Sequence, residues 1–233
     1  MADLSTRSTE PEWMDQPGTS AADHAQALAD LARVNRLTLT HRPILRWLQK
    51  ATADLAPGSR LAVLDVASGQ GDLLRLIHRW GTKRGLVLDL RGLDLNPGSA
   101  LHAQAATPEG MTISWITGDV FTHVPAPPAD FIVSSQFAHH LTNDQVVAFL
   151  RWLDRHAKRG WFIADLQRSR LAWTCFPLLA RLMRWHRLVR IDGTISIARS
   201  FRKADWQALL ADSGISATIS HHIPFRLCVS ALR

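Results

Sequence analysis

Short apolar runs alternate with amphipathic segments along the middle of the chain. The run Leu61–Ala67 is nearly continuous, as expected for a strand covered on both faces. The segment after it places Leu73, Leu74 and Ile77 at helical spacing. Four similar runs predict further strands, which end near residues 95, 119, 136 and 166. Strands separated by single helices predict an α/β fold with a doubly wound, mostly parallel sheet.

Both ends of the chain depart from this alternation. Residues 1–20 are polar and contain proline and glycine, which predicts a mobile tail. Apolar residues at helical spacing predict a helical cap over residues 21–57, with Pro43 near the start of its second helix. The domain over residues 58–233 ends in two β-like runs, 215–221 and 225–232. We expect these runs to form an antiparallel hairpin at the edge of a seven-stranded sheet.

An insert rich in tryptophan and leucine, residues 167–200, separates the fifth strand from the last helix. It also carries arginine at every third position: Arg181, Arg184, Arg187 and Arg190. Three interpretations compete: a helical lid over an apolar ligand, a helix on a membrane surface, or a homodimer contact. The lid is favoured, with the helices around Arg36 and His41 closing the opposite side of the site.

Composition excludes several classes of protein. Cys175 and Cys228 lie far apart without a cluster of metal-type ligands, so neither a disulfide scaffold nor a metal site is predicted. The N-terminal segment has no apolar core of a secretory signal, and no run approaches the roughly 20 apolar residues that span a bilayer. We therefore expect a cytoplasmic protein. The net charge of +7 attracts nucleic acid, anionic lipid and acidic metabolites alike.

A carboxylate and two glycines mark the end of the first strand. Gly69 and Gly71 allow a tight turn in which the backbone approaches a ligand. A nicotinamide-binding turn normally has a third small residue where this chain has Leu74. Asp65, just before the turn, repels a pyrophosphate but suits a ligand with a positive amino group. The chain also contains no tyrosine, which excludes the Tyr-Lys pair of short-chain oxidoreductases.

Two more carboxylates follow at the ends of the next strands. Asp94 is placed to accept hydrogen bonds from both hydroxyls of a ribose. Asp119 is placed to accept from an adenine amino group, and Val120 offers a backbone N–H and an apolar contact. Because the carboxyl ends of parallel strands share one edge of a sheet, the three carboxylates should converge on one crevice.

With these motifs, residues 61–233 resemble class I S-adenosylmethionine-dependent methyltransferases. The resemblance implies that Asp65, Ala67, Gly69 and Gly71 hold the methionine part of the cofactor, Asp94 the ribose, and Asp119 and Val120 the adenine. The remaining predicted cofactor-site residues are Ser68, Gln70, Leu95, Asn96, Gln136 and Arg36. Ala67 replaces the usual first glycine, so we expect it to have ordinary backbone angles.

The acceptor side carries a subgroup resemblance. The segment Phe131–Leu141, with its His-His pair, resembles quinone- and small-molecule-modifying methyltransferases. The segments 34–36 and 164–170 resemble a bacterial subgroup associated with polyketide-type biosynthesis. These resemblances imply methyl transfer to a small, largely hydrophobic acceptor, aromatic or polyketide-like, with a phenolic or enolic oxygen. A basic rim favours an acceptor that carries a carboxylate or several oxygens.

A phenol or enol must lose its proton, and histidine suits that task near neutral pH. His140 is the first candidate for the general base and His139 the second. Asp165, at the end of the fifth strand, either orients a substrate hydroxyl or pairs with Arg168. Alignment of the acceptor without a general base is an equal alternative.

Two other functions stay open. A nucleic-acid methyltransferase is the nearest, but the turn Ser135–Phe137 lacks the prolines that usually follow the fourth strand in amino-methylating enzymes. Nucleic acid is therefore not the expected partner. The second is a non-catalytic protein that binds the cofactor or acts as a scaffold, because donor-site motifs alone do not establish turnover.

Overall fold

A computed structural model describes residues 3–15 and 20–233. Within them the helices are α1 (Ala21–Leu37), α2 (Arg42–Ala51), α3 (Asp72–Lys83), α4 (Pro97–Ala105), α5 (Asn143–His156), α6 (Arg170–Leu182), α7 (Arg187–Arg199) and α8 (Lys203–Ser213). The strands are β1 (Arg60–Val66), β2 (Val87–Asp94), β3 (Ser114–Thr117), β4 (Phe131–Ser135), β5 (Gly160–Leu166), β6 (Thr218–His222) and β7 (Arg226–Leu232).

The strands form one seven-stranded sheet in the order β3-β2-β1-β4-β5-β7-β6. The first five strands are parallel, and β7 runs antiparallel to both β5 and β6. The predicted α/β fold, its strand number and its C-terminal hairpin are therefore confirmed. The chain order reverses between β1 and β4, which opens a crevice at their carboxyl ends.

Both faces of the sheet are buried, which explains the continuous apolar run of the first strand. Leu64 and Val66 belong to a core that packs against α5 and α8. Leu61 and Val63 point to the opposite face, where they meet a core formed with α2 and α3. Alternate residues of a strand face opposite sides, so a strand covered by two layers of helices needs apolar side chains throughout.

The N-terminal segment packs against the domain, which corrects the prediction of a mobile tail. Leu4 and Glu12 are buried, and the Arg7 guanidinium lies 4.0 Å from the centre of the Phe201 ring. The N–H groups of Trp13 and Met14 donate to the carboxylate of Asp192, at 2.8 and 3.0 Å. The polar composition suggested a solvated segment, but the polar groups of this segment find partners on α7 and around residues 139–143. Residues 1–2 and 16–19 of the predicted tail lie outside the described residues.

The insert folds into two packed helices, α6 and α7. Trp185, in the turn between them, is buried in a cluster with Ala27 and Val34 of α1. The four regularly spaced arginines are all exposed, yet they do not lie on one helix, because α6 ends before residue 183 and α7 begins at residue 187. In the part of the chain that the structure describes, every helix is too short or too polar to cross a bilayer.

Candidate cofactor and acceptor site

A cavity of about 1210 Å³ opens at the carboxyl ends of β1, β2 and β4. Asp65, Asp94 and Asp119 all line it, so the predicted convergence of the three carboxylates on one hollow is confirmed. Pockets for one small ligand usually measure roughly 300–1,000 Å³. This cavity is therefore larger than the usual pocket for one small ligand.

Asp65 is the most unusual group in the cavity. It is 2% exposed, and its Oδ1 atom has no hydrogen-bond partner among the described residues. Burial, with the nearby carboxylates of Asp72 and Asp94, raises the pKa of Asp65 well above its ordinary value. An unpaired buried carboxylate is costly for a folded protein unless a cation or a hydrogen-bond donor arrives. The amino group of S-adenosylmethionine supplies both, so the residues present fit that cofactor.

Hydrogen bonds tie the turn after β1 to the tip of β2. The Gly69 N–H donates to Asp94 Oδ2 at 2.8 Å, and the Asn96 N–H donates to Asp94 Oδ1 at 3.0 Å. The Asn96 side chain caps α4 by accepting from the Gly98 N–H at 2.9 Å. These contacts fix the Asp94 carboxylate at the cavity edge, while each of its oxygens keeps a lone pair for a ligand hydroxyl.

Two positions of the turn differ from expectation. Ala67 has a φ of 58°, so its backbone angles are left-handed and the expectation of ordinary angles was wrong. The turn requires this conformation whatever the residue, and alanine adopts it under strain. Gly71 has a φ of 76°, and a Cβ atom there would lie 2.1 Å from the Trp115 ring. Gly71 lies outside the described cavity lining, where the indole of Trp115 packs closely against it.

The other predicted cofactor-site residues line the cavity, with the exception of Arg36. Those in the cavity lining are Ala67, Ser68, Gly69, Gln70, Leu95, Asn96, Val120 and Gln136. Arg36 is exposed and lies outside the described lining, whereas its neighbour Asn35 is buried and lines the cavity. Adjacent residues on a helix point about 100° apart. The N-terminal helix therefore reaches the cavity through Asn35, and Arg36 faces solvent.

A polar network connects the helical cap to the donor turn. The Gln136 side chain donates to Asn35 Oδ1 at 2.6 Å, and Asn35 donates to Asp72 Oδ2 at 3.0 Å. His41 Nε2 lies 2.9 Å from the same Asp72 oxygen. Burial alone would raise the pKa of Asp72, but His41 and Asn35 lower it to about 2. Sequence reasoning missed Asn35 and Asp72, because an acidic residue at the start of a helix ordinarily serves the helix end.

His139 lies between two buried carboxylates. Its Nδ1 atom is 2.7 Å from Asp165 Oδ1, and its Nε2 atom is 3.4 Å from Glu12 Oε1. Burial favours the neutral ring, but Asp165 and Glu12 raise the pKa of His139 to about 9. A ring that carries two protons at neutral pH has no lone pair for a third. This arrangement contradicts the expectation that His139 acts as a general base.

The partners of His139 also correct the expectations for Asp165. Asp165 is fully buried and bonds to His139, whereas Arg168 pairs with Asp205 at 3.1 Å. Asp165 lies outside the described cavity lining, and its carboxylate contacts His139, which lines the cavity. Burial opposes ionisation of Glu12, but His139 and His140 lower its pKa to about 2. Glu12 was missed because its segment was read as a tail.

The rest of the cavity is an apolar chamber beside the two histidines. The His140 ring centre is 4.3 Å from that of His139, and the His140 side chain is 29% exposed. Apolar lining residues come from the N-terminal segment, α1, the turn after β4, the insert and the hairpin: Met14, Leu28, Leu31, Val34, Phe137, Phe176, Leu179, Val189, Ile197 and Phe225. The N-terminal cap and the insert thus roof the acceptor end of the cavity.

One cation also faces the chamber. Arg226 is buried and lines the cavity, and its Nη2 atom donates to Thr40 Oγ1 at 2.7 Å. Its Nε atom has no hydrogen-bond partner among the described residues. Burial lowers the pKa of Arg226 to about 10, so the group stays charged at neutral pH. A buried guanidinium with an unused donor suits an anionic or oxygen-rich substituent.

Comparisons with known proteins agree with this fold. Residues 63–160 match the family model described as a methyltransferase domain. Magnesium protoporphyrin IX methyltransferase from Synechocystis PCC 6803, solved with bound SAH, superimposes with a TM-score of 0.58 at 18% identity, over 94% of this chain and 90% of that one. Among curated proteins, none matches this sequence significantly.

Two further solved structures have the same architecture. A SAM-dependent methyltransferase from Aquifex aeolicus gives a TM-score of 0.61 at 18% identity, over 89% of this chain and 97% of that chain. The CurJ carbon methyltransferase gives a TM-score of 0.63 at 13% identity, over 91% of this chain and 61% of that chain. The fold is that of class I S-adenosylmethionine-dependent methyltransferases.

Proposed function

We propose that this protein transfers a methyl group from S-adenosylmethionine to a small, largely hydrophobic acceptor with a phenolic or enolic oxygen. One observation carries the proposal: a single cavity joins the unpaired Asp65 carboxylate to an apolar chamber that contains His140. When bound, the cofactor supplies an electrophilic methyl group. The chamber's shape and apolar walls favour a small molecule over a peptide or a nucleic-acid strand.

Each part of the site has a proposed role. Asp65 binds the cofactor's amino group, Asp94 the ribose hydroxyls, and Asp119 with Val120 the adenine. Methyl transfer from a sulfonium is a displacement along one line, so the protein mainly has to align the acceptor at roughly 3–3.5 Å. The apolar walls exclude water and hold the acceptor ring. His140 faces the reactive oxygen, and Arg226 binds an anionic substituent at the far end of the chamber.

Assays with purified protein test this function. We expect heat on mixing with S-adenosylmethionine, and methylated product with aromatic, polyketide-like phenols but not with short peptides or tRNA. Asp65→Asn should strongly weaken both signals, while Asp212→Asn, which changes an exposed carboxylate away from the cavity, should leave them unchanged. Binding without turnover on any phenol would favour the non-catalytic alternative. Preference for tRNA, with strong salt sensitivity, would favour the nucleic-acid alternative.

We assign the lid role to the inner face of the insert, which lines the chamber. Its outer face exposes Leu171, Leu178 and Leu182 on α6, near the exposed arginines. Homodimer contact and peripheral membrane contact both remain predictions for this outer face, as does the cytoplasmic location. Size-exclusion chromatography with light scattering tests the first, and flotation with anionic vesicles tests the second.

A further inference from the structure

Three potential metal ligands meet at the acceptor end of the cavity. One carboxylate oxygen of Glu12 and one ring nitrogen each of His139 and His140 lie within 4.8 Å of one another. All three residues line the cavity. Sequence reasoning predicted no metal site because it considered cysteine clusters, and it placed Glu12 in a tail. The fold brings Glu12 beside the two histidines.

The distances around His139 distinguish its two ring nitrogens. Nδ1 is 2.7 Å from Asp165 Oδ1, an ordinary charge-assisted hydrogen bond. Nε2 is 3.4 Å from Glu12 Oε1, and His140 Nε2 is 3.9 Å from the same oxygen. Zinc–ligand bonds of about 2.0–2.1 Å in a tetrahedral site place donor atoms about 3.3 Å apart. The His139–Glu12 pair, at 3.4 Å, has this separation, and the His140–Glu12 pair, at 3.9 Å, is wider and closes on an ion by a small side-chain movement.

The surroundings orient these ligands as metal sites usually do. A histidine ligand commonly donates its other ring N–H to a carboxylate, and Asp165 provides that carboxylate for His139. The Ser196 hydroxyl donates to Glu12 Oε1 at 2.7 Å and holds that side chain in place. The neighbouring guanidinium groups of Arg7 and Arg199 donate to backbone carbonyls of residues 139–141. They leave the Glu12 carboxylate available to a cation.

We infer that Glu12, His139 and His140 form a binding site for one divalent transition-metal ion such as zinc. Two imidazoles and one carboxylate suit zinc, iron, cobalt and nickel, and they leave a position open toward the chamber. The ion takes the place of the proton between His139 and Glu12, and that proton passes to water.

The consequence for catalysis rests on the proposed function. An acceptor hydroxyl fills the open position and binds the ion through oxygen, which makes its O–H proton easier to release to water. The O–CH₃ bond then forms as the S–CH₃ bond breaks, and the cofactor leaves as a neutral sulfide. In this scheme His140 is a metal ligand, which replaces its role as a general base. An acceptor with two neighbouring oxygens would bind such an ion best.

Metal titration of the chelator-treated full chain tests the inference. We expect one equivalent of zinc by calorimetry and a visible absorption band on adding cobalt. Glu12→Gln and His140→Gln should each weaken zinc binding at least about 100-fold, and Asp165→Asn about 10–100-fold. His221→Gln removes an exposed histidine of the hairpin and should bind zinc normally. Circular dichroism and the melting temperature establish that each variant is folded.

The outcomes separate this inference from the proposed function. Less than about 0.2 equivalents of zinc on the wild-type chain, or unchanged binding in both Glu12→Gln and His140→Gln, overturns the metal site. Equal loss in His221→Gln also overturns it, because the zinc is then bound at the surface. S-adenosylmethionine binding is measured in the same samples. If the wild-type chain binds S-adenosylmethionine but not zinc, only the metal site is refuted. If the wild-type chain does not bind S-adenosylmethionine, the proposed function is refuted.

Discussion

The two ends of the cavity are built in different ways. The donor end consists of strand tips and the turns after them, so its residues lie at or near the ends of strands: Asp65 near the end of β1, Asp94 at the end of β2 and Asp119 shortly after β3. The acceptor end joins segments far apart in sequence, with Glu12 from the N-terminal segment, His139 after β4 and Phe176 from the insert. One end belongs to the common fold, and the other is assembled from additions to that fold.

This difference has a physical cause. Parallel strands bring their carboxyl ends together in any doubly wound sheet, so the donor end needs no long-range side-chain contact to form. The acceptor end depends on buried ion pairs such as Glu12 with His139, which hold only when both segments are docked. We therefore expect changes at the donor end to alter cofactor binding, and changes at the acceptor end to alter turnover while cofactor binding survives.

The largest expected effect is at Asp65. Asp65→Asn removes the charge that binds the cofactor's amino group and should weaken S-adenosylmethionine binding about 100-fold, which corresponds to about 3 kcal/mol. Calorimetry measures this loss, with Asp212→Asn as the matched control. An unchanged affinity in Asp65→Asn would show that the amino group binds elsewhere and would remove the basis for the donor end.

The same variant should stabilise the cofactor-free protein in a pH-dependent way. The folded-state pKa of Asp65 is raised, so the unfolded chain ionises this group first as pH rises. The wild type therefore loses stability as the pH rises from the ordinary carboxyl pKa to the raised pKa of Asp65. The amide variant has no such loss, because its side chain does not ionise. In thermal melts, the melting temperature of Asp65→Asn relative to that of the wild type should increase between pH 4 and pH 8. A constant difference over that range contradicts this account.

Removal of residues 1–14 tests whether the two ends are separable. The shortened chain loses Glu12 and the Arg7–Phe201 contact, so methyl transfer should fall at least about tenfold through poorer alignment. Cofactor affinity should stay within about threefold of that of the full chain, which corresponds to a change of less than about 1 kcal/mol in binding free energy. Calorimetry and single-turnover assays on the same preparation measure the two quantities. If methyl transfer and cofactor affinity fall together, the two ends of the cavity form one cooperative unit and are not separable.

Gly71→Ala tests how the donor turn is packed. The new Cβ would clash with the Trp115 ring and sit at a positive φ, so we expect a loss of about 2–3 kcal/mol in the free energy of unfolding. Gly58→Ala is the matched control, because Gly58 has a φ of 86° and no heavy atom within 4 Å of the added Cβ. It should cost about 1 kcal/mol from backbone strain alone. If urea denaturation shows the same loss of unfolding free energy in Gly71→Ala and Gly58→Ala, the Trp115 side chain moves aside without cost.

Ala67→Gly should give the smallest effect, with the opposite sign. Glycine relieves the strain at a φ of 58°, and we expect a gain of about 0.5–1 kcal/mol in the free energy of unfolding. Ala148→Gly, at an exposed position inside α5, should instead lose about 1 kcal/mol. Destabilisation in both variants would show that Ala67 has a packing role that outweighs its backbone angle.

The sequence alone determined the sheet, the order of its elements and the convergence of three carboxylates, because strand and turn patterns are local and parallel strands share an edge. The strand ends predicted near residues 95, 119, 136 and 166 lie close to the observed ends at Asp94, Thr117, Ser135 and Leu166. The sequence did not determine which neighbour of a helical pair faces inward, as with Asn35 and Arg36, or which backbone angle Ala67 takes.

Only the tertiary structure decided the acceptor end. It placed Glu12 beside His139, paired Asp165 with His139 instead of Arg168, and distributed the insert's arginines over two helices and the turn between them. The position of Glu12 depends on contacts between distant segments, such as that of Glu12 with Ser196, 184 residues away. Such contacts leave no periodic signal in the chain, since the free energy that selects them arises only when the segments are packed and their charges are removed from water.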